Sequence, residues 1–257
     1  MKKRLTRFLP FLLAFTIALP SYSVFAEEEN QAKETQTNET NKTQADETTA
    51  NDTLSLAAET AVLIDAASGE ILYDKDADKK MYPASITKLM TILLALENGK
   101  LTDEITFSHD AVYNIEPGSA HIAILEGETL TLEQVLRAII LRSANEASNG
   151  VAEYVDGSVE AFAKHMTERA KELGCTNTNF VNANGLFDEN HYTTAHDMAL
   201  IARELLKHEE YRSMMSETDY EIPPTNLQTE TRYLHGQHQM LNPNSIYYYK
   251  DAIGGKT

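Results

Sequence analysis

The chain has 257 residues and a single cysteine, Cys175. One thiol excludes an intrachain disulfide, so the fold must be held by packing and hydrogen bonding. Cys175 lies in Leu173-Gly174-Cys175-Thr176 and reads as a small buried hydrophobe rather than a reactive thiol. Basic residues are scarce: 22 Lys and Arg stand against 39 Asp and Glu. Four of the basic residues, Lys2, Lys3, Arg4 and Arg7, fall in the first 26 residues, which contain no acid. The rest of the chain therefore holds 18 basic and 39 acidic residues, a net charge of −21. That balance counts against nucleic acid and against anionic membrane surfaces as partners.

Long apolar runs are lacking apart from Phe8–Leu19, which is too short to cross a bilayer comfortably. It follows the basic cluster and precedes Val24-Phe25-Ala26, which suits signal-peptidase cleavage before Glu27. Residues 1–26 are therefore expected to be an export signal, with a retained membrane anchor as the second reading. Residues 27–57 are an acidic spacer rich in Thr and Asn. From 27 to 53 they hold no aromatic or large aliphatic side chain. Such a segment cannot bury enough apolar area to offset its ordering entropy, so it is expected to be disordered. Metal-ligand spacing is also lacking. His235-Gly236-Gln237-His238 is a close histidine pair in a loop-like stretch without a nearby acidic set, and reads as solvated. For His191 and His196, capping and packing suffice.

The expected folded part, residues 58–257, begins with two β-type runs, Ala61–Asp65 and Glu70–Tyr73, joined by the turn residues Ala66–Gly69. Tyr82–Leu96 then runs from a loop into a helix apolar on nearly every face, which belongs inside a domain. Ile105–Phe107 looks extended, and Pro117-Gly118-Ser119 marks a loop. Thr131-Leu132-Glu133-Gln134 fits a capping box that opens a helix reaching Arg142. The helical pattern restarts at Glu146, and a further helix runs from Ser158 to Leu173 and stops at Gly174. Asn182–Leu186 is turn chemistry, and Thr194 caps another helix. After Pro223-Pro224 the chain reads as loop. Ile246–Lys250 reads as extended, and Gly254–Thr257 sits on a terminal strand. The order predicts an α+β fold, a helical block packed on an antiparallel sheet.

Three places hold polar groups that local structure does not demand. Ser85 and Lys88 are one helical turn apart at the mouth of the buried helix, so a hydroxyl stands beside a possible base. Taken alone, a capping serine and a snorkelling lysine explain them as well. Ser143-Ala144-Asn145 breaks two helices, and Lys256-Thr257 follows Gly254-Gly255. In this chain order the three form the set Ser-x-x-Lys, Ser-x-Asn, Lys-Thr that recurs in serine acyl-transfer enzymes acting on β-lactams and on D-Ala-D-Ala peptides.

With Tyr82–Thr91, Asn184-Gly185-Leu186 and His191–Ala199, the chain resembles the D-alanyl-D-alanine carboxypeptidases, the low-molecular-mass penicillin-binding proteins of serine peptidase family S11, over about residues 58–257. The resemblance implies a β-lactamase/penicillin-binding transpeptidase-like fold. It implies that Ser85 forms the acyl-enzyme, Lys88 is the base, and Ser143 relays a proton to the leaving amine. It implies that Asn145 orients the substrate amide and that Lys256 and Thr257 bind the terminal carboxylate. The implied partners are the D-Ala-D-Ala end of the peptidoglycan stem peptide and β-lactams as inhibitors. No metal or organic cofactor is implied, and the implied location is the extracytoplasmic face of the membrane or the cell wall. Membrane association is expected only through a part beyond Thr257.

Two departures set the expectations further. A class A β-lactamase would need a Glu-x-x-x-Asn loop between the second and third motifs, and none is present. That weakens an exported β-lactamase as the alternative; a catalytically silent cell-wall-binding relative is the other. The third motif stops before its glycine, so the record is expected to be incomplete. A chain truly ending there is expected to have little or no activity, because one oxyanion donor would be missing.

Overall fold

The computed structural model describes residues 56–256, so the expected export signal, nearly all of the expected spacer and Thr257 lie outside the described residues. Strands β1 (Ala61–Ile64) and β2 (Ile71–Lys75) form the expected antiparallel hairpin. Leu63 pairs with Tyr73, and the register then shifts so that Ile64 faces Ile71. Lys75 Nζ donates to the carbonyls of Leu56 and Ala58, so Leu56 already belongs to the folded part rather than to the spacer.

A 3-10 turn (Ala84–Thr87) leads into helix α1 (Lys88–Asn98). From Met90 to Ala95 every side chain of α1 is buried, which follows from a helix with no polar stripe. It packs against α3 (Leu132–Arg142), α4 (Asn145–Asp156), α5 (Val159–Glu172) and α6 (Ala195–Leu205). The expected caps are present. Thr131 and Gln134 close a reciprocal capping box on α3, while Ser158 and Thr194 accept from the first turns of α5 and α6. Ser143, in the left-handed region at φ 57°, ends α3 and lets α4 start two residues later.

Between α1 and α3 lies β3 (Glu104–Thr106), which bears out the extended reading of Ile105–Phe107 at two residues, with the short helix α2 (His109–Tyr113) and β4 (Thr129–Thr131), which were not expected. After α6 come α7 (Glu209–Met215), β5 (Asp219–Ile222) and β6 (Arg232–His235). The expected loop after Pro223-Pro224 thus contains a strand, with Leu234 buried opposite Tyr220. Its His235 pairs with Asp219 across the ladder instead of lying in a loop. Among the described residues the strands form three separate two-stranded ladders, not one continuous sheet.

Ile246–Lys250 is not extended. Tyr248 N–H bonds to Ser245 O and Ala252 N–H to Tyr249 O, which makes consecutive turns. β-type side chains adopt a strand only where a neighbouring strand pairs with them, and among the described residues no ladder reaches the exposed Ile246, Tyr247 and Tyr249. Gly254–Lys256 is likewise not a strand. Gly254 sits at φ 138° against the backbone of Met215, where an added Cβ would lie 2.3 Å from the Met215 carbonyl oxygen. Only glycine fits that approach, which delivers Lys256 to the helical block.

Candidate active site

Ser85 sits in the 3-10 turn just ahead of α1, and Lys88 is the first residue of α1. Ala84 enters that turn at φ 47°, an uncommon conformation for a residue with a Cβ. The Lys88 side chain is fully buried. Its Nζ lies 3.1 Å from Ser85 Oγ, 2.8 Å from Asn145 Oδ1 and 2.5 Å from the Asn184 carbonyl oxygen. A neutral amine has two N–H groups and one lone pair. The two firm acceptors, Asn145 Oδ1 and Asn184 O, use both N–H groups, which leaves the lone pair for the Ser85 hydroxyl proton.

The electrostatics favour that neutral form. Burial, with the positive charge of Lys256 adding to it, brings Lys88 down to about 7, while Glu146 pulls the other way. Lys256 Nζ donates to Ser143 Oγ at 2.9 Å, and burial brings this lysine to about 8. The tertiary structure thus draws Ser85, Lys88, Ser143, Asn145 and Lys256 into one constellation. Thr257 lies outside the described residues.

Sequence reasoning missed three contributors. The Asn184 carbonyl is a backbone group with no signature beyond the Asn-Gly turn that presents it. Gly185, at φ 86°, lets that turn press on Ala84: an added Cβ would lie within bonding distance of the Ala84 carbonyl. Glu146 is buried, with Oε1 accepting from Ile122 N–H, and burial raises its carboxyl above the usual range. It carries no motif beyond standing next to Asn145. Cys175 is buried as expected, and burial pushes its thiol to about 12, which keeps it unreactive.

The comparison with known proteins agrees with this geometry. Residues 43–257 match the Peptidase_S11 family, described as D-alanyl-D-alanine carboxypeptidase. The chain belongs to that family. It is 43% identical over 161 residues to the D-alanyl-D-alanine carboxypeptidase DacF of Bacillus subtilis, covering 61% of this chain and 41% of the relative. It is 33% identical over 219 residues to DacA of Haemophilus influenzae, covering 82% of this chain and 51% of the relative. The chain thus spans about half the length, or less, of these curated relatives. Among solved structures, penicillin binding protein 5 of Haemophilus influenzae superposes with a TM-score of 0.65 at 28% identity, covering 73% of this chain and 54% of that one. A Streptomyces DD-transpeptidase superposes with a TM-score of 0.72 at 24% identity, covering 79% and 81%, which shows the shared α+β fold.

Two hydrogen-bonded sets hold the five residues: Lys88 Nζ contacts Ser85 Oγ and Asn145 Oδ1, and Lys256 Nζ donates to Ser143 Oγ. The histidine pair takes no part: among the described residues no group of three or more His, Cys, Asp or Glu side chains is placed to share a metal.

Proposed function

We propose that this protein is a serine D-Ala-D-Ala carboxypeptidase that removes the terminal D-alanine from peptidoglycan stem peptides and is acylated by β-lactams. The observation that carries this reading is the placing of the buried Lys88 Nζ 3.1 Å from Ser85 Oγ, with Asn145 Oδ1 and the Asn184 carbonyl as its nearer acceptors.

In the proposed reaction Ser85 Oγ attacks the carbonyl carbon of the penultimate D-alanine as its proton passes to Lys88 Nζ. The Ser85 N–H serves as one donor to the oxyanion, close to the positive end of α1. The C–N bond breaks, and the leaving amine takes a proton from Ser143, which regains one from the Lys88 ammonium, so that Lys88 is neutral again and Lys256 keeps its charge. Asn145 orients the substrate amide, and Lys256 with Thr257 binds the terminal carboxylate. Water then hydrolyses the Ser85 ester. The proposed setting is extracytoplasmic, reached through the leader at residues 1–26, with the spacer holding the enzyme off the surface it leaves. Peptide trimming there would bear on cell-wall cross-linking and cell shape.

Labelling the full-length protein with a fluorescent penicillin tests this. Wild type is expected to hold a lasting adduct and Ser85→Ala to hold none. Absence of label on wild type would point to a cell-wall-binding role instead, and fast release of hydrolysed penicillin would point to a β-lactamase.

A further inference from the structure

Thr87 stands where the 3-10 turn passes into α1, at φ −44° and ψ −37°, and its hydroxyl makes no capping bond. Its Oγ1 lies instead 2.8 Å from His191 Nε2, 104 residues away, and both side chains are buried. Val181 N–H donates to His191 Nδ1 at 3.2 Å, so the ring proton sits on Nε2 and is donated to Thr87. Phe180 fixes the ring from the side with an edge contact at 5.5 Å.

The same loop grips the turn elsewhere. Met81 and Thr193 exchange two backbone hydrogen bonds of 2.8 and 2.9 Å. Thr91 Oγ1 donates to the Ala183 carbonyl at 2.6 Å. Gly185 lies against Ala84, and the Asn184 carbonyl accepts from Lys88. Other side-chain links from this loop reach the flanking segments: Phe187 packs edge-on against Tyr82, and Thr91 bonds from within α1. The Thr87–His191 hydrogen bond reaches the stretch between Ser85 and Lys88 without touching either.

We infer that the Thr87–His191 hydrogen bond is a positioning device: it holds the Ser85 turn at the distance and angle from Lys88 that proton transfer needs. The inference rests on the reading of Ser85 as the acylated nucleophile. The bond fixes the relation between α1 and the 182–193 loop, which supplies the Lys88 acceptor. His191 donates as a neutral imidazole; burial lowers it to about 4, so the bond persists across the working pH range.

The test is the rate of penicillin acylation of the full-length protein, measured against penicillin concentration and normalised to folded protein by near-UV circular dichroism. Thr87→Val keeps the shape and removes the hydroxyl. It is expected to slow the maximal acylation rate about ten- to hundredfold, as a misplacement on the scale of an ångström does, with the half-saturating concentration unchanged. Thr87→Ser is expected to restore most of the rate. His191→Ala should match Thr87→Val, and the double variant should be no slower than either single one, because both remove one bond. If Thr87→Val does not fold, His191→Gln, which keeps an N–H toward Thr87, carries the test: it should outperform His191→Ala. Thr87→Val acylating at the wild-type rate, or Thr87→Ser failing as badly as Thr87→Val, overturns the inference while leaving Ser85 as nucleophile. A wild-type protein that takes no label at Ser85 takes down the inference and the proposed function together.

Discussion

Lys88 and Glu128 are both fully buried ionisable side chains, and they are treated in opposite ways. Glu128 sits under a bidentate guanidinium: Arg232 Nη1 and Nη2 donate to its two oxygens at 2.6 and 2.7 Å. Thr225 Oγ1 and Leu125 N–H complete its shell. Burial alone would raise this carboxyl; the guanidinium and the added hydrogen bonds outweigh it and leave it lowered. Lys88 has neutral oxygens for hydrogen-bond partners and feels a second lysine. A buried charge meant to stay is paired and fully hydrogen-bonded. A buried group meant to give up its proton is denied a paired counter-charge. The first arrangement pins the 125–128 segment to β6, and the second makes a base.

The comparison can be broken most severely at the base. Lys88→Arg keeps a cation that cannot become neutral, so acylation should fall by about 10²–10⁴-fold, the usual contribution of a general base. Penicillin-labelling rates check it, and near-normal labelling would remove Lys88 from that role. At the other pole, Arg232→Ala leaves Glu128 buried without its partner. Unfolding in urea should show a loss of about 3–5 kcal/mol, as for other broken buried pairs. An unchanged midpoint would mean that Glu128 finds water.

The pH dependence sharpens the contrast. The acylation rate should rise with pH through about 7 as Lys88 loses its proton. Lys256→Gln removes a like charge, so Lys88 becomes easier to protonate and that midpoint should move up. Glu146→Gln removes the opposing negative charge, and the midpoint should move down by a smaller amount. Stability carries the same sign. Between about 7 and the ordinary lysine value of 10.5 the unfolded chain binds the proton that folded Lys88 has lost, so stability rises with pH across that window. Lys88→Met should reduce that rise and leave the part that Lys256 contributes above about 8, and urea midpoints at pH 7 and 9 would show it.

Much of this was readable in the sequence because local chemistry wrote it there. The run Met90–Ala95, apolar but for Thr91, required a buried helix, and Thr131, Ser158 and Thr194 announced helix starts that the caps bear out. Short elements were not readable. The five-residue helix at His109–Tyr113 and the four-residue strand at Arg232–His235 are too short to carry a periodic pattern, and they take their form from packing on α4 and pairing with β5. Ile246–Lys250 went wrong for the converse reason, since it has strand-type side chains and no strand beside it.

The residue types and order of Ser85, Lys88, Ser143, Asn145 and Lys256 are properties of the sequence, and they sufficed to name a nucleophile and its candidate base. What made Lys88 a base was decided by the tertiary structure. Asn145, the Asn184 carbonyl and the nearby Lys256 charge come from segments 57 or more residues away, and the burial that lowers Lys88 to about 7 comes from the helices packed around α1. A pKa depends on solvent exclusion and on the distances to other charges, and no linear pattern encodes either.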